Sequence, residues 1–395
     1  MGNPGEATTP STAITLLVDD AGVARACGIV EDWAKSGRWG DLVALGEALE
    51  TSCDPADKAR RGFFETLADH VEDQLALGTT DAAVDGLLAL ALRPRERSVE
   101  VPRPQSIRLQ ASASRLGYGQ SAATFLAALE RFEGRSEHRE LFACWMHEIV
   151  LRGTSLADDA RAKRFQASLG STGHPLGGLP LALQATEREA PSYMPLYGEK
   201  GLGRAIDALT SGPMSVRTIP PPADGAAVRA TRVDDAGVTE RMMSAVRPWA
   251  EGKNGKAEAK VFALEPQVAG TALGSWLLRA LPLESTNGTA RLDVSRTGPD
   301  GVFGPLFSAA SNGGAYSSGL GGAYGRLAAW STLGALVGAP AGADVTTIDK
   351  LATTSAFLTF RAPGPWFHDV AWDLGALALR PDGRSVAVLA ATDNE

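Results

Sequence analysis

The hydrophobic pattern of the first two hundred residues has the period of α-helices. Apolar residues recur at three- and four-residue steps, as in Val23, Cys27, Val30 and Trp33, which places them on one face of a helix. Short connections containing Gly, Pro or Asp separate such segments, as between antiparallel helices. The other segments with this pattern are residues 42–49, 63–75, 81–92, 121–132, 136–151 and 156–169.

The spacing of these helices resembles that of an α-solenoid, although the sequence has no repeat of fixed period. We therefore predict an irregular helical domain over residues 13–210, preceded by a disordered Gly-, Pro- and Thr-rich segment, residues 1–12. Asp54-Pro55 is typical of a helix start, with an N-cap followed by proline at the first helical position.

A linker rich in proline and glycine follows this helical region. Residues 211–226 include Pro220-Pro-Pro222, and neither a helix nor an inner strand continues through such a stretch. Beyond it the period of the pattern changes, which predicts an α/β domain over residues 227–395. Strands are expected at 228–233, 260–264 and 291–295, and helices at 237–249, 271–281 and 324–337.

The end of the chain predicts a β-hairpin. Two strand-like runs, Val370–Leu379 and Ser385–Ala391, flank a turn in which Pro381 fixes φ and Gly383 takes the left-handed position. Both faces of these runs are apolar apart from Asp373, so we expect them inside a sheet covered by helices. The predicted fold class is α+β: a helical, α-solenoid-like domain followed by an α/β domain with a mixed sheet that ends in this hairpin.

Composition supports a folded, two-domain protein. The chain has 395 residues, a length that exceeds one ordinary hydrophobic core. Of these residues 44% are apolar and 21% are charged, a composition that excludes wholesale disorder. A net charge of −8 argues against a nucleic-acid partner, because phosphate binding needs a basic surface. Only 8 of the 38 basic residues are lysine, a bias typical of high-GC bacteria.

The sequence lacks paired cysteines, a signal peptide and long apolar runs, and these features bear on the compartment and on metal binding. Cys27, Cys53 and Cys144 have no paired spacing, which favours free thiols in a reducing cytoplasm over a redox or zinc site. The first residues lack the pattern of a signal peptide, and the apolar runs are short for a membrane span. We expect a cytoplasmic protein without a membrane partner, a metal or a cofactor.

A glycine-rich run at residues 312–326 contains two copies of Gly-Gly-Ala-Tyr, eight residues apart. Glycine lets the main chain approach a neighbour where a Cβ would clash, so one interpretation is close packing. Another is a nucleotide or small-anion site, in which main-chain amides and Arg326 face a phosphate. A flexible lid or a partner-binding loop is the third. The candidate ligand-binding residues are Tyr316, Ser317, Ser318, Gly319, Gly321 and Arg326.

The context of the run favours packing. A dinucleotide loop follows a buried strand, whereas residues 304–310 have a poor strand pattern.

His368-Asp369 is a second candidate. A histidine beside a carboxylate and aromatic residues has the chemistry of an acid–base pair or a recognition pocket. Adjacent side chains in a strand point to opposite faces, which favours a structural role. His147-Glu148 matches half of His-Glu-x-x-His, but Leu151 stands where the second ligand belongs, so it predicts a structural histidine. No nucleophile motif or catalytic carboxylate pair is recognisable, and the sequence leaves the catalytic residues, and whether the chain is an enzyme, undecided.

The segments Gly313–Trp330 and Trp366–Asp393 resemble an uncharacterised family of high-GC actinobacterial proteins, a domain of unknown function. The stretches that carry this resemblance are Gly-Gly-Ala-Tyr…Gly-Arg-Leu-Ala-Ala-Trp and the closing His-Asp-Val-Ala-Trp-Asp…Arg-Pro-Asp-Gly-Arg-Ser-Val-Ala-Val-Leu-Ala. The resemblance implies no activity.

Two functional hypotheses follow. The first is a non-catalytic, cytoplasmic protein-binding or regulatory protein whose helical half presents a groove to a protein partner. The alternative is an enzyme or sensor that binds a nucleotide or small anion at residues 312–326. A structural role in an assembly is a third possibility, and the sequence leaves the oligomeric state open.

Overall fold

A computed structural model describes residues 9–52, 57–93, 105–189, 228–251, 254–315, 317, 319–368 and 372–393. The chain divides into two compact units. The first comprises residues 1–149 with 160–162, and the second comprises residues 150–159 with 163–395. The predicted linker at 211–226 lies outside the described residues, so that boundary stays a prediction. Helices within residues 163–189 already pack in the second unit.

The first unit is built from helices that begin at capping residues. The carboxylate of Asp19 accepts a hydrogen bond from the amide of Gly22, and Thr80 and Ser121 cap the fifth and seventh helices in the same way. The helices are α1 (Pro10–Thr15), α2 (Asp20–Lys35), α3 (Trp39–Ser52), α4 (Lys58–Leu77), α5 (Asp81–Leu92), α6 (Gln105–Gly119), α7 (Ala122–Arg131) and α8 (Arg139–Leu151), with a 3₁₀ turn at Ser136–His138.

Two helix boundaries differ from the predicted ones. Helix α1 begins at Pro10, inside the segment predicted to be disordered, because Thr9 caps it through the amide of Thr12. Helix α4 is capped by Asp57, which accepts from the amide of Arg60, so its cap lies three residues after the predicted one, Asp54. Residues 53–56 lie outside the described residues.

Helices two places apart run parallel in the first unit. Gly46 of α3 packs on Leu90 of α5, and earlier along both helices Gly86 packs on Val43. In α4 and α6, Glu72 lies near Ser112, and further along both helices Ala76 lies near Gly119. Consecutive helices from α1 to α6 also pack against each other. This layered order, with α2, α4 and α6 in one row and α3 and α5 in the next, agrees with the predicted solenoid-like arrangement.

The second unit combines helices with one sheet. Its helices are α9 (Ala160–Ser171), α10 (Ala185–Glu189), α11 (Ala236–Met243), α12 (Arg247–Ala250), α13 (Ser275–Ala280), α14 (Pro299–Asn312), α15 (Gly321–Leu336) and α16 (Val345–Thr354), with 3₁₀ turns at Pro175–Gly178 and Gly270–Ala272. Its strands are β1 (Arg229–Val233), β2 (Lys256–Glu265), β3 (Asp293–Thr297), β4 (Ala356–Arg361), β5 (Asp373–Leu379) and β6 (Ser385–Thr392).

The six strands form one sheet in the order β1-β2-β6-β5-β4-β3, and every described pair is antiparallel. The prediction of a mixed sheet is therefore wrong. Parallel pairing needs a crossover connection, usually a single helix. Between β3 and β4 the chain instead forms the helical hairpin α14–α15 and then α16. The α+β class itself is confirmed.

The predicted C-terminal hairpin is also confirmed. β5 and β6 pair from Asp373 opposite Thr392 to Leu379 opposite Val386, and Gly383 in the turn has φ +62°. Both strands are buried in the middle of the sheet. One face packs on α13 through residues such as Leu277. On the other face of the sheet, α12 and α15 pack on β6, and α14 packs on β3 and β4.

Candidate functional site

The glycine-rich run forms the turn between α14 and α15. Gly313 ends α14 with φ +81°, a conformation that disfavours side chains. A Cβ at Gly319 would lie 2.1 Å from the carbonyl oxygen of Ser311, and one at Gly325 would lie 2.8–3.0 Å from the Cβ, Cα and nitrogen of Ser311. The two helices therefore approach each other more closely than any side chain at these positions would permit. Close packing, the first interpretation of the run, agrees with this geometry.

Several amides of this turn already have acceptors inside the protein. The amide of Gly314 donates to Ser317 Oγ at 2.9 Å, and the amide of Ala315 donates to Asp393 Oδ2 at 2.8 Å. The amide of Leu320 donates to the carbonyl of Ala310 at 2.8 Å. In a phosphate-binding loop such amides point at the ligand. Here the anion next to the turn is a carboxylate of the chain itself.

Asp393 holds the turn at the end of the sheet. Its amide donates to the carbonyl of Trp372 at 3.1 Å, and its side chain is 1% exposed. A Cβ at Gly314 would lie 2.0 Å from Asp393 Oδ2 and 3.0 Å from Trp249 Cδ1, so only glycine fits between them. Asp393 Oδ1 and Trp249 Nε1 are both buried without a hydrogen bond in the described part of the chain. An unpaired buried polar group is costly, and here two such atoms lie on residues that both flank Gly314.

Arg326 lies on α15 and is completely buried. Its Nε lies 2.5 Å from Glu187 Oε1 and its Nη2 lies 2.9 Å from Glu187 Oε2, a two-point contact. Nη1 and Nη2 also donate to the carbonyls of Pro180 and Ala182. The guanidinium therefore anchors residues 180–189 to α15, and it does not face solvent beside the glycine-rich turn.

The remaining candidates are only partly described. Gly321 begins α15 with φ +69°, and His368 is exposed and outside any strand. Tyr316, Ser318 and Asp369 lie outside the described residues. The turn and the segment that carries His368 approach the same end of the hairpin, because Asp393 contacts both Ala315 and Trp372. No described contact joins His368 to the turn.

Sequence reasoning missed Glu187, Trp249 and Asp393. Glu187 is also contacted by Trp330 Nε1 at 2.9 Å and by the amide of Gln184 at 2.7 Å. A glutamate in a short helix that also contains Arg188 and Glu189 gives no signal of such a role. Asp393 lies two residues after a predicted strand, and a carboxylate at the end of a strand was the available signal.

The other titratable groups singled out by sequence have structural surroundings. His147 is fully buried in α8. Burial, together with the nearby carboxylate of Glu140, raises the pKa of the Cys144 thiol well above its ordinary value, so this thiol is inert at neutral pH. Cys27 is also a free thiol, and burial raises its pKa.

Within the described residues, no group of three or more His, Cys, Asp and Glu side chains is placed to hold a metal ion. Nor does any described helix have the length and apolar character to cross a bilayer.

A family model described as "Family of unknown function (DUF6183)" matches residues 24–395. The chain belongs to this family. The match extends through both units, whereas the sequence resemblance rested mainly on the second half. Neither the curated proteins nor the solved structures contain a match to the chain.

Proposed function

We propose that this chain is a non-catalytic protein-binding or regulatory protein, acting in the cytoplasm of a high-GC bacterium, whose first unit binds a partner protein. The observation that carries the proposal is the distribution of charge over the two units. Residues 1–149 contain 15 Arg and Lys against 23 Asp and Glu, a net charge of −8. Residues 150–395 contain 23 of each. Residues 160–162, which also belong to the first unit, add Arg161, so the first unit carries a net charge of −7 and the second of −1. Nearly all of the net charge thus belongs to the helical unit, and a charged surface steers an oppositely charged partner.

The helical architecture supports the same function. Rows of parallel helices present extended faces, and proteins built in this way use such faces to bind other proteins. The second unit contributes no open constellation of catalytic groups in its described part. Its glycine-rich turn is closed by Asp393 and its buried arginine is bound to Glu187.

Cross-linking in the native host tests this proposal. The full chain carrying an affinity tag is cross-linked in cells, purified, and its cross-linked peptides are identified by mass spectrometry. We expect a stoichiometric partner whose cross-links fall mainly on residues 9–149. Cross-links restricted to residues 163–393, or recovery of the chain without a stoichiometric partner, would contradict the proposal.

The alternative, a nucleotide- or small-anion-binding enzyme or sensor, has less support. Asp393 places a negative charge beside the turn, and Arg326 is already paired. A thermal-shift panel of nucleotides and phosphorylated metabolites separates the two functions. We expect no ligand to raise the melting temperature. A shift seen with the wild type and lost in Ser317→Ala would favour the alternative.

A further inference from the structure

The outer face of α4 carries a stripe of exposed residues at four-residue steps. Glu65, Asp69, Asp73 and Leu77 follow one another along this face, and all four are exposed. Residues four apart in a helix lie one above the other, so the stripe is continuous. It runs for about 18 Å from Glu65 to Leu77, at a rise of roughly 1.5 Å per residue. The opposite side of α4 is buried through Phe64, Leu67, Val71 and Leu75.

An exposed aromatic residue, Tyr118, lies near the end of α6, and that end of α6 packs against the end of this stripe. A Cβ at Gly119 would lie 2.2 Å from the carbonyl oxygen of Ala76, and the amide nitrogen of the Gln120 side chain binds the carbonyls of Ala76 and Gly78. These contacts bring the ends of α4 and α6 together. Leu77 is 48% exposed and Tyr118 is 51% exposed. They are two of the four large apolar side chains that are exposed in the described part of the chain.

The charge beside this apolar pair is only partly neutralised. Arg115 of α6 contacts Asp69 at 2.7 Å, Glu72 at 2.8 Å and Asp73 at 2.8 Å. One guanidinium therefore serves three carboxylates. Asp69 and Asp73 remain 61% and 52% exposed, and Glu65 is exposed one turn before them. The stripe is an acidic surface with an apolar end.

We propose that this surface, which we call the α4 face (Glu65, Asp69, Asp73, Leu77 and Tyr118), binds a basic segment of a partner protein. The segment carries Lys or Arg residues opposite the carboxylates and an apolar side chain at the end that meets Leu77 and Tyr118. This inference rests on the proposed protein-binding function and adds the surface and the chemistry of the partner. Charge complementarity selects a basic occupant, because attraction across the interface accelerates encounter and like charges exclude wrong partners.

Other occupants fit less well. A second copy of the first unit would bring another net charge of −7 to the same surface. An anionic lipid headgroup would be repelled by the carboxylates. A purely apolar segment would leave Asp69 and Asp73 beside uncharged groups, with part of their hydration lost.

Selection from a random peptide library displayed on phage tests the inference with the full chain as bait. We expect the enriched peptides to share two or more Lys or Arg residues and one Leu, Phe, Trp or Tyr. The most enriched peptide is then labelled, and its dissociation constant is measured by fluorescence anisotropy.

Two variants of the α4 face are compared with matched controls. We expect Leu77→Ser combined with Tyr118→Ser to weaken binding at least tenfold. Asp69→Asn combined with Asp73→Asn should weaken binding and flatten its dependence on salt. The controls are Val233→Ser, which removes an exposed apolar residue of the second unit, and Asp32→Asn, which removes an exposed carboxylate of α2; both should leave binding unchanged. Unchanged melting curves show that each variant is folded.

Several outcomes would overturn the inference: no enriched family of peptides, enrichment of acidic or uncharged peptides, or equal binding by the α4-face variants and the wild type. These outcomes are distinct from failure of the proposed function. A partner that cross-links to the first unit and is captured equally by the α4-face variants would refute this surface while leaving the protein-binding function intact.

Discussion

At the residue scale, the second unit is held together by a buried charge with a full set of partners. Glu187 accepts hydrogen bonds from Arg326, Trp330 Nε1 and the amide of Gln184. Removing one member of such a pair leaves the other charge buried and uncompensated. This lowers the free energy of unfolding by more than the intact pair adds to it. Residues 180–189 depend on this contact for their place on α15.

Glu187→Gln should therefore lower the free energy of unfolding of the second unit by about 3–5 kcal/mol. The double variant Glu187→Gln/Arg326→Met should recover part of this loss, because it removes the unpaired charge. Urea denaturation followed by tryptophan fluorescence measures both. The single variant Arg326→Met completes the comparison. If the effects of Glu187→Gln and Arg326→Met simply add in the double variant, the residues do not act as a coupled pair.

The glycines of the turn also act at this scale. Gly325→Ala places a methyl group within 3.0 Å of the main chain of Ser311, which should cost about 1–3 kcal/mol of stability. The matched change Gly170→Ala in α9 meets no atom within 4 Å and should stabilise that helix by about 0.5–1 kcal/mol. Equal urea midpoints for the two variants would mean that α14 and α15 do not pack as described.

At the element scale, the sequence predicted structure best where local chemistry is sufficient. The β5–β6 hairpin was predicted because Pro381 and Gly383 specify its turn and both strands are continuously apolar. Helix α14 was missed because Gly301, Gly304 and Pro305 weaken a helical pattern, and tertiary packing overrides that preference. Strand pairing is non-local, so the antiparallel order of the sheet was not predictable from spacing.

The same limit applies to the candidate site. The glycine pattern located the turn and its close packing correctly. It gave no information on the partners of Arg326, because Glu187 lies 139 residues earlier in the chain. The contact between Asp393 and Ala315 also joins segments far apart in sequence.

Strand β2 is tied to the segment after α13 by Glu258. Its carboxylate accepts from the amides of Glu284 and Ser285 at 2.8 and 2.9 Å and lies 2.6 Å from Lys260 Nζ. Burial raises the pKa of Glu258, but these hydrogen bonds lower it by more, so the pKa in the folded protein lies below the ordinary 4.5.

A folded-state pKa below the unfolded value means that this stabilisation is present above pH 4.5 and is lost as the pH falls through the lower, folded value. Glu258→Gln should cost about 1.5–3 kcal/mol at pH 7, the range for hydrogen bonds to charged groups. Its stability should then fall less steeply than that of the wild type below pH 4.5. Urea midpoints from pH 7 to pH 3 measure this, with the exposed Glu284→Gln as control. Parallel pH profiles for wild type and Glu258→Gln would contradict the assignment.

At the scale of the whole molecule, charge is distributed unequally and continuous burial is not. The helical unit carries nearly all of the net negative charge, whereas both units contain elements buried almost throughout, α8 in the first and β5 and β6 in the second. Composition gave the total charge of the chain, but only the division into units assigns that charge to one of them.

Hydrogen exchange of the full chain should follow the order of strands in the sheet. We expect the amides of β5 and β6 to exchange most slowly, because both strands are paired on two sides and buried. Edge strand β1 is largely exposed and should exchange fastest of the six strands. Peptide-resolved mass spectrometry measures the rates. Equal protection of β1 and β5 would show that the sheet opens as one block.

The order of strands also has a consequence for how the protein is made. β1 pairs with β2, and β3 pairs with β4, but only β5 and β6, the last of the six to leave the ribosome, connect these two ribbons. Until they emerge, the nascent chain holds two separate ribbons with open edges, which are exposed to wrong pairing. A chain that is terminated and released before residue 373 lacks β5 and β6. Its two ribbons would therefore keep open edges on which other chains can pair and aggregate.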